Sequence, residues 1–490
     1  ADGASTKSET KAVLNKYAKK YSNIKVKYLD ENKMISANIN EALKLAEGDY
    51  VGLFDHDDLL EPNALFEMVK MLNEKRYDMI YSDEDKVDSK GKEFFEPHFK
   101  PDFSKYTLRS YNYITHFTLI NKKILDEVGP FDSNCDGAQD FDMFLRISDK
   151  TNNIGHIPMV LYHWRVHNQS TAATADAKSY VTDAGKLALR KHLERNGIKG
   201  EVTDGLFPTS YKINYEIKGN PLVSIIIPNK DHIDDLDKCI SSIRDKTDYE
   251  NYEIIIVENN SEEEKTFNYY KQIEKDENIR VLYWKSEFNY SAINNFGVKE
   301  AKGEYILLLN NDVEIINKEW LSEMLMLAQQ EDVGCVGAIL YFDDDTIQHA
   351  GIILGIGSVA GHSHKYYPKD SFGYVGRLKV VQNLSAVTAA CLLVKKKIFN
   401  EVEGLDETFK VAFNDVDFCM KVGKNYQNIF TPYAELYHYE SKSRGLEDSK
   451  EKIERFNGEI KRFGEKWGLW IEDPYYNKNL SITKEVFSLR

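Results

Sequence analysis

The clearest hydrophobic pattern lies in the second half of the chain. Leu222-Val223-Ser224-Ile225-Ile226-Ile227 is a continuous apolar, β-branched run ended by Pro228, the pattern of a strand buried on both faces. Leu236, Cys239, Ile240 and Ile243 follow at helical spacing. Next come a strand-like segment over 253–257, a helix, a strand-like segment over 279–284, a helix over 292–301 and a strand over 305–309. Strands alternating with helices predict right-handed βαβ units around a parallel sheet. Ligands of such sheets sit beyond the carboxyl ends of the strands, which is where Glu258 and Asn310-Asn311-Asp312 fall.

The same pattern occurs twice. Ser36-Ala37 and Gly48-Asp49-Tyr50-Val51-Gly52-Leu53-Phe54-Asp55-His56-Asp57 align without gaps on Ser291-Ala292 and Gly303-Glu304-Tyr305-Ile306-Leu307-Leu308-Leu309-Asn310-Asn311-Asp312, at an offset of 255 throughout. Gln139-Asp140-Phe141-Asp142 matches Asn414-Asp415-Val416-Asp417, and Leu161-Tyr162-His163 matches Leu436-Tyr437-His438. Each histidine follows its aspartate by 23 residues (163 − 140 and 438 − 415). This order predicts two copies of one α/β domain in tandem. The first covers 1–205, 206–220 is a polar linker, and the second covers 221–447. The second copy carries an insertion around 346–383, rich in Gly and His. With Asp2-Gly3 aligned on Asn259-Asn260, the first copy lacks the opening strand and helix of the second. In 448–490, Ile453, Phe456, Ile460, Phe463 and Trp467 mark an amphipathic helix expected to pack back onto the second domain.

Composition narrows the classes. Length 490 suits two to four domains with real cores, and 64 basic against 79 acidic residues give a net charge of −15, which disfavours a nucleic-acid binder. The five cysteines show no CxxC pair or metal-ligand spacing and read as core thiols in a reducing compartment. The longest apolar stretches, 384–394 and 351–361, are too short and interrupted to span a membrane, and no secretion signal is present, so a soluble, cytoplasmic chain is expected. It begins with Ala1, as a fragment, an engineered chain or a processed one would.

Asp55-His56-Asp57-Asp58 gathers carboxylates at a strand end, where their repulsion needs a counter-charge. A hard divalent cation, Mg²⁺ or Mn²⁺, is the usual answer. A lone Asp-x-Asp reads as well as a solvated turn, but a matching site in the second copy, with Asp and His following at equal spacing, favours the metal. Asp142 and Asp417 read as caps of their helices, and Trp164-Arg165 and Lys442-Ser443-Arg444 as surface charge or phosphate contacts. Gln348-His349 and His362-x-His364 lack the ligands of a zinc site, and the insertion reads as an acceptor-side wall or lid.

The order of Pro228, Glu258, Ser291-Ala292-Ile293-Asn294-Asn295-Phe296-Gly297, Asn310-Asn311-Asp312, Asn414-Asp415-Val416-Asp417 and Tyr437-His438-Tyr439-Glu440-Ser441 resembles the family 2 glycosyltransferases of GT-A fold. The tandem arrangement looks like the bacterial enzymes of O-antigen, rhamnan and capsule biosynthesis. The resemblance implies inverting transfer of a sugar from a nucleotide diphosphate sugar, UDP- or dTDP-linked, to a hydroxyl of a growing glycan, lipid- or protein-linked, with Mn²⁺ or Mg²⁺. It makes Asp415 the base of the second domain and Asp140 that of the first. It assigns Asp312 with His438, and Asp55 and Asp57 with His163, to metal and diphosphate. Pro228, Asp231, Glu258, Asn294, Asn295 and Asn310 would form the nucleotide pocket. Asn310 stands where a carboxylate is common and Glu258 where Asp is usual, and the first domain would be short of half its nucleotide pocket. Peripheral contact with the inner face of the cell membrane and a homo-oligomer are compatible with this reading. A pseudo-enzyme that binds or scaffolds carbohydrate is the alternative, and a nucleotidyl- or phosphotransferase lacks its GxxxxGK[ST] loop here.

Overall fold

The computed structural model describes residues 1–166, 175–439 and 449–490. Glu440, Ser441 and Lys442-Ser443-Arg444 lie outside the described residues. The chain divides into two compact units, Ala1–Ile213 and Asn214–Arg490.

Unit 2 is built on a mixed sheet. Ile279–Tyr283, Tyr252–Glu258, Val223–Asn229 and Tyr305–Leu309 run parallel in that order. Cys391–Lys395 is antiparallel to both its neighbours, Val333–Tyr341 and Gln427–His438 pair in parallel, and Val313–Ile315 closes the edge antiparallel to Gln427–His438. The apolar run of Val223–Asn229 extends two residues past Ile227. Pro228 is tolerated because Val223–Asn229 has Tyr305–Leu309 beside it only as far as Ile226, so the side that lacks an N–H has no partner strand to satisfy. Helix Ile233–Asp245 buries Leu236, Cys239, Ile240 and Ile243, as their spacing predicts.

Unit 1 repeats the second half of this sheet. Tyr50–Leu53, Thr118–Asn121, Met79–Val87, Ile154–Arg165 and Leu59–Leu60 follow one another with the same directions as their unit 2 counterparts. The α/β tandem reading therefore holds for the order and direction of strands in both units. One detail of the alignment shifts. Asp2 bridges Tyr28 in parallel, and Leu29 N–H donates to the Asp2 carbonyl (3.0 Å), as Trp284 N–H does to Glu258 (2.9 Å). Asp2 thus stands at the position of Glu258, one residue away from the Asn259 alignment. Ser5 Oγ donates to the Asp2 carboxylate as Ser261 Oγ does to Glu258.

Two segments differ from the polarity-based reading, and the C-terminal helix follows it in part. Within 206–220, Tyr211, Ile213 and Tyr215 alternate inward along strand Tyr211–Tyr215, which pairs with Gly200–Asp204. The insertion is structured: Ile352–Leu354 and Ala360–His362 form a ribbon, while Ile347–His349 and Gln382–Leu384 join the main sheet. Helix Lys450–Trp467 packs Ile460, Phe463 and Trp467 on the unit 2 core, and leaves Ile453 and Phe456 exposed at its start. All five cysteines are free and buried. Among the described residues no helix is long and apolar enough to cross a membrane.

Candidate active site

In unit 2 the register of two adjacent strands assembles the site. Leu309 pairs with Cys391, and Asn310 N–H donates to the Ala390 carbonyl, which places residues 310–312 beside 388–390. At the sheet edge Val313 pairs with His438, bringing the histidine to Asp312. His438 Nε2 lies 3.2 Å from Asp312 Oδ1 and 3.1 Å from Asn310 Nδ2. Gln348 grips the other side: its Oε1 is 2.6 Å from His438 Nδ1, and its amide N–H donates to the His438 carbonyl. With Nδ1–H donating to Gln348, the lone pair of Nε2 faces Asn310 and Asp312. A buried carboxylate and an imidazole nitrogen converging in this way fit a divalent cation. Among the described residues no group of three or more His, Cys, Asp or Glu is arranged to hold an ion by itself.

Asp415 opens helix Asn414–Val422 on the neighbouring wall. Its Oδ2 accepts from Ala389 N–H (3.1 Å) and its Oδ1 from Val416 N–H (2.9 Å). Burial raises its pKa above the ordinary carboxylate value, although hydrogen bonds from Ala389, Thr388 and Val416 oppose the shift. The C-terminal helix supports this wall. Glu459 accepts from Val411 and Ala412 N–H, and Asp417, fully buried, is held by Trp467 Nε1 and Lys466. Asp417 is therefore an anchor of its helix.

A polar chain runs from Asn311, beside Asp312, to Glu258. Asn311 Nδ2 donates to Asn229 Oδ1 (2.6 Å), Asn229 Nδ2 to Tyr270 Oη (2.8 Å), and Tyr270 Oη to Glu258 Oε2 (2.7 Å). Three residues expected in the nucleotide pocket do other work. The Asp231 carboxylate accepts from the N–H groups of Glu262 and Glu263 and from Thr266 Oγ1, fixing the start of helix Glu264–Ile273. Asn294 is wholly buried and donates to Tyr290 carbonyl within its own helix. Asn295 clamps Leu405, donating to its carbonyl and accepting from its N–H.

Unit 1 departs further. His163 turns Nδ1 to Asp85 (2.6 Å) and Nε2 to Glu61 (3.1 Å), so both ring nitrogens are occupied away from the expected partnership with Asp55 and Asp57. The cause is register: the residue opposite His163 is Leu59, two beyond Asp57, whereas His438 faces Val313, one beyond Asp312. Arg165 holds the acidic turn instead, donating to the Asp57 carbonyl and the Asp58 carboxylate. Asp142 pairs with Arg146. Asp140 accepts from Asn112 Nδ2 (2.8 Å). Beside it, His116 lies 3.2 Å from Glu84 and 3.8 Å from Asp55 and stacks on Tyr162. Burial lifts the Asp55 pKa; His116 counters that shift, while the nearby carboxylates of Asp58, Asp57 and Asp140 add to it. Buried Lys100 sits 3.4 Å from Glu84. Glu84 and His116 escaped the sequence reading, as did Gln348 and Thr388 in unit 2. The available signal was Asp83-Glu84-Asp85, three consecutive carboxylates in a strand that opens on Met79-Ile80-Tyr81 and is almost wholly buried.

Comparison with known proteins sets this site in context. The chain is 45% identical over 497 residues to the uncharacterized protein y4gI of Sinorhizobium fredii, covering all of this chain and 55% of that protein. It is 35% identical over 492 residues to the O-antigen biosynthesis protein RfbC of Myxococcus xanthus, covering all of this chain and 38% of that one. It is 24% identical to the hyaluronan synthase of Pasteurella multocida over 82% of this chain and 39% of that enzyme. The chain thus spans roughly half or less of the length of the curated relatives it matches. The profile of glycosyl transferase family 2 matches residues 1–129 and 224–402, one segment in each unit and together more than half of the sequence. The repeated strand order and the acidic strand ends lie within or beside those segments, and the chain belongs to glycosyl transferase family 2.

Proposed function

We propose that unit 2 transfers a sugar, with inversion, from a nucleotide diphosphate sugar to an acceptor hydroxyl of a surface glycan. The observation that carries the reading is that Asp415, at the start of helix Asn414–Val422, accepts from Ala389 N–H beside the strand end that carries the Asp312–His438 pair. Asp415, partly open and raised in pKa by burial, accepts the proton of the attacking hydroxyl. Asp312 and His438 Nε2, with Asn310 beside them, would hold Mn²⁺ or Mg²⁺. When bound, that ion would neutralise charge developing on the diphosphate leaving group. One carboxylate and one imidazole from the protein would leave room for substrate oxygens and water around such an ion. Gln348 keeps the His438 ring in its tautomer, and Asn311, Asn229 and Tyr270 tie the metal end to Glu258 at the base end.

Similarity to an O-antigen biosynthesis protein along the whole chain supports a bacterial surface glycan as the product. The test is Asp415→Asn. It should keep its affinity for UDP in the presence of Mn²⁺ and lose transfer by about 10²-fold or more. Turnover near that of the parent chain would remove Asp415 from its role and leave a carbohydrate-binding protein as the better reading.

A further inference from the structure

The insertion contains a pair of histidines that the transfer chemistry above does not use. His349 is fully buried on strand Ile347–His349, and His362 ends strand Ala360–His362. Their Nδ1 atoms are 3.0 Å apart, with the rings nearly perpendicular. The surroundings decide where the protons are. His349 Nε2 accepts from two backbone N–H groups, Gly351 (3.2 Å) and Thr388 (3.4 Å), so it carries a lone pair. Burial holds both rings below the ordinary imidazole range, hence neutral. The proton of His349 must then sit on Nδ1 and point at His362 Nδ1, which accepts it. This leaves the single proton of His362 on Nε2. No group among the described residues hydrogen-bonds that Nε2–H, although the ring is only partly exposed.

The position of this donor matters. Thr388, which caps His349 Nε2 through its backbone N–H, also supports the Asp415 carboxylate through its hydroxyl. Gln348, the residue before His349, orients His438. Glu485 pins the His362 backbone N–H at 2.7 Å. An oriented, neutral N–H with no hydrogen-bond partner among the described residues thus sits two residues removed from Asp415, through His349 and Thr388. We propose that His362, locked as the Nε2–H tautomer by the positioning residue His349, donates a hydrogen bond to a hydroxyl of the acceptor sugar on the Asp415 side of the unit 2 site. This rests on reading unit 2 as a glycosyl transferase site.

Two measurements on the 490-residue chain test it. Selective ¹⁵N-histidine labelling with two-bond ¹⁵N–¹H correlation should show His349 as Nδ1–H and His362 as Nε2–H, unchanged from about pH 5 to 8. In the presence of UDP and Mn²⁺, the His362 Nε2 resonance should shift when octyl glucoside, galactoside or rhamnoside is added. An Nδ1–H or charged His362, or no shift with any of the three, overturns the proposal. In transfer assays with the same acceptors, His362→Ala should raise acceptor KM about tenfold with kcat and UDP affinity unchanged, and His362→Gln, which keeps an N–H, should restore most of it. An unchanged KM in His362→Ala, or a loss of UDP affinity, also overturns it. Failure of the parent chain to bind UDP with Mn²⁺ would instead count against the transferase reading, and the His362 resonance would still decide the acceptor contact.

Discussion

Asp415 and His438 show how a side chain is defined by what stands behind it. Asp415 has its pKa raised by burial while three donors hold its oxygens, so it remains a carboxylate that can still take up a proton. A base with a raised pKa is ionised only above that value, so kcat should fall as pH drops through it. The acidic limb of the pH profile is therefore expected above the ordinary carboxylate range and should be absent from whatever activity Asp415→Asn retains. A limb at the usual carboxylate value would mean that another group titrates. Behind His438 stands Gln348. Gln348→Ala should leave the fold intact and raise the Mn²⁺ concentration needed for half-maximal UDP binding by about 10-fold or more, measured by calorimetry at fixed UDP. At this scale the meeting of Asp312 with His438 was legible, because an acidic strand end and a later Leu-Tyr-His recur in the same order in both copies. Asp231, Asn294 and Asn295 could not be read, because an amide or carboxylate serves a backbone clamp and a ligand pocket equally well. What decides between them are partners such as Thr266 and Leu405, 35 and 110 positions away.

Among the elements, helix Tyr290–Glu300 shows a packing demand hidden in a motif. Ser291 donates to the Phe409 carbonyl, Asn295 clamps Leu405, and a methyl group on Gly297 would come within 2.6 Å of Ile226 Cγ2 and 2.9 Å of Val257 Cγ2. Replacing a mid-helix glycine by alanine normally stabilises a helix by up to about 1 kcal/mol. Here the obstacles are stiff β-branched side chains on the central strands, and overpacking of about 1–3 kcal/mol should win. Gly297→Ala is expected to lower the urea midpoint of unit 2, and a raised midpoint would show that the strands yield. Elements were most legible where burial was complete. Tyr305–Leu309 reads directly from its five apolar residues. Tyr211–Tyr215, by contrast, alternates Tyr and Ile with Lys and Asn over five residues and passes for linker until Gly200–Asp204 is seen beside it.

For the whole molecule, the two units share a strand order and do not share a site. Asp2 reproduces Glu258 with its serine, and its Oδ2 is buried with no hydrogen-bond partner among the described residues, so unit 1 keeps a carboxylate at the position of Glu258. Residues 221–256 nevertheless have no counterpart within 1–213, and among the described residues the repeated Leu-Tyr-His histidine meets its acidic strand end only in unit 2, where His438 faces Asp312 while His163 turns to Asp85 and Glu61. Calorimetric titration with UDP and Mn²⁺ should therefore report one site per 490-residue chain, abolished in Asp312→Ala. A second site surviving that substitution would assign nucleotide binding to unit 1 through Asp2, Asp55 and Asp57. The repeat itself was legible from its constant offset. The divergence of its histidines was not, because His163 and His438 have the same sequence context and differ only in what stands opposite them.

That opposition is set by a turn. Seven positions separate Asp57 from Ala64 at the start of its helix, and eight separate Asp312 from Trp320. One residue of contour length decides whether an edge histidine meets the aspartate of the strand end, as His438 meets Asp312, or the carboxylates of Glu61 and Asp85. Duplicated transferase units of this kind can thus part ways through an insertion or deletion while every candidate ligand stays in place. A survey that counts conserved side chains would score both units alike. Counting the residues between them separates the two, so the partner of the edge histidine is set by the length of a loop as much as by the identity of the side chains.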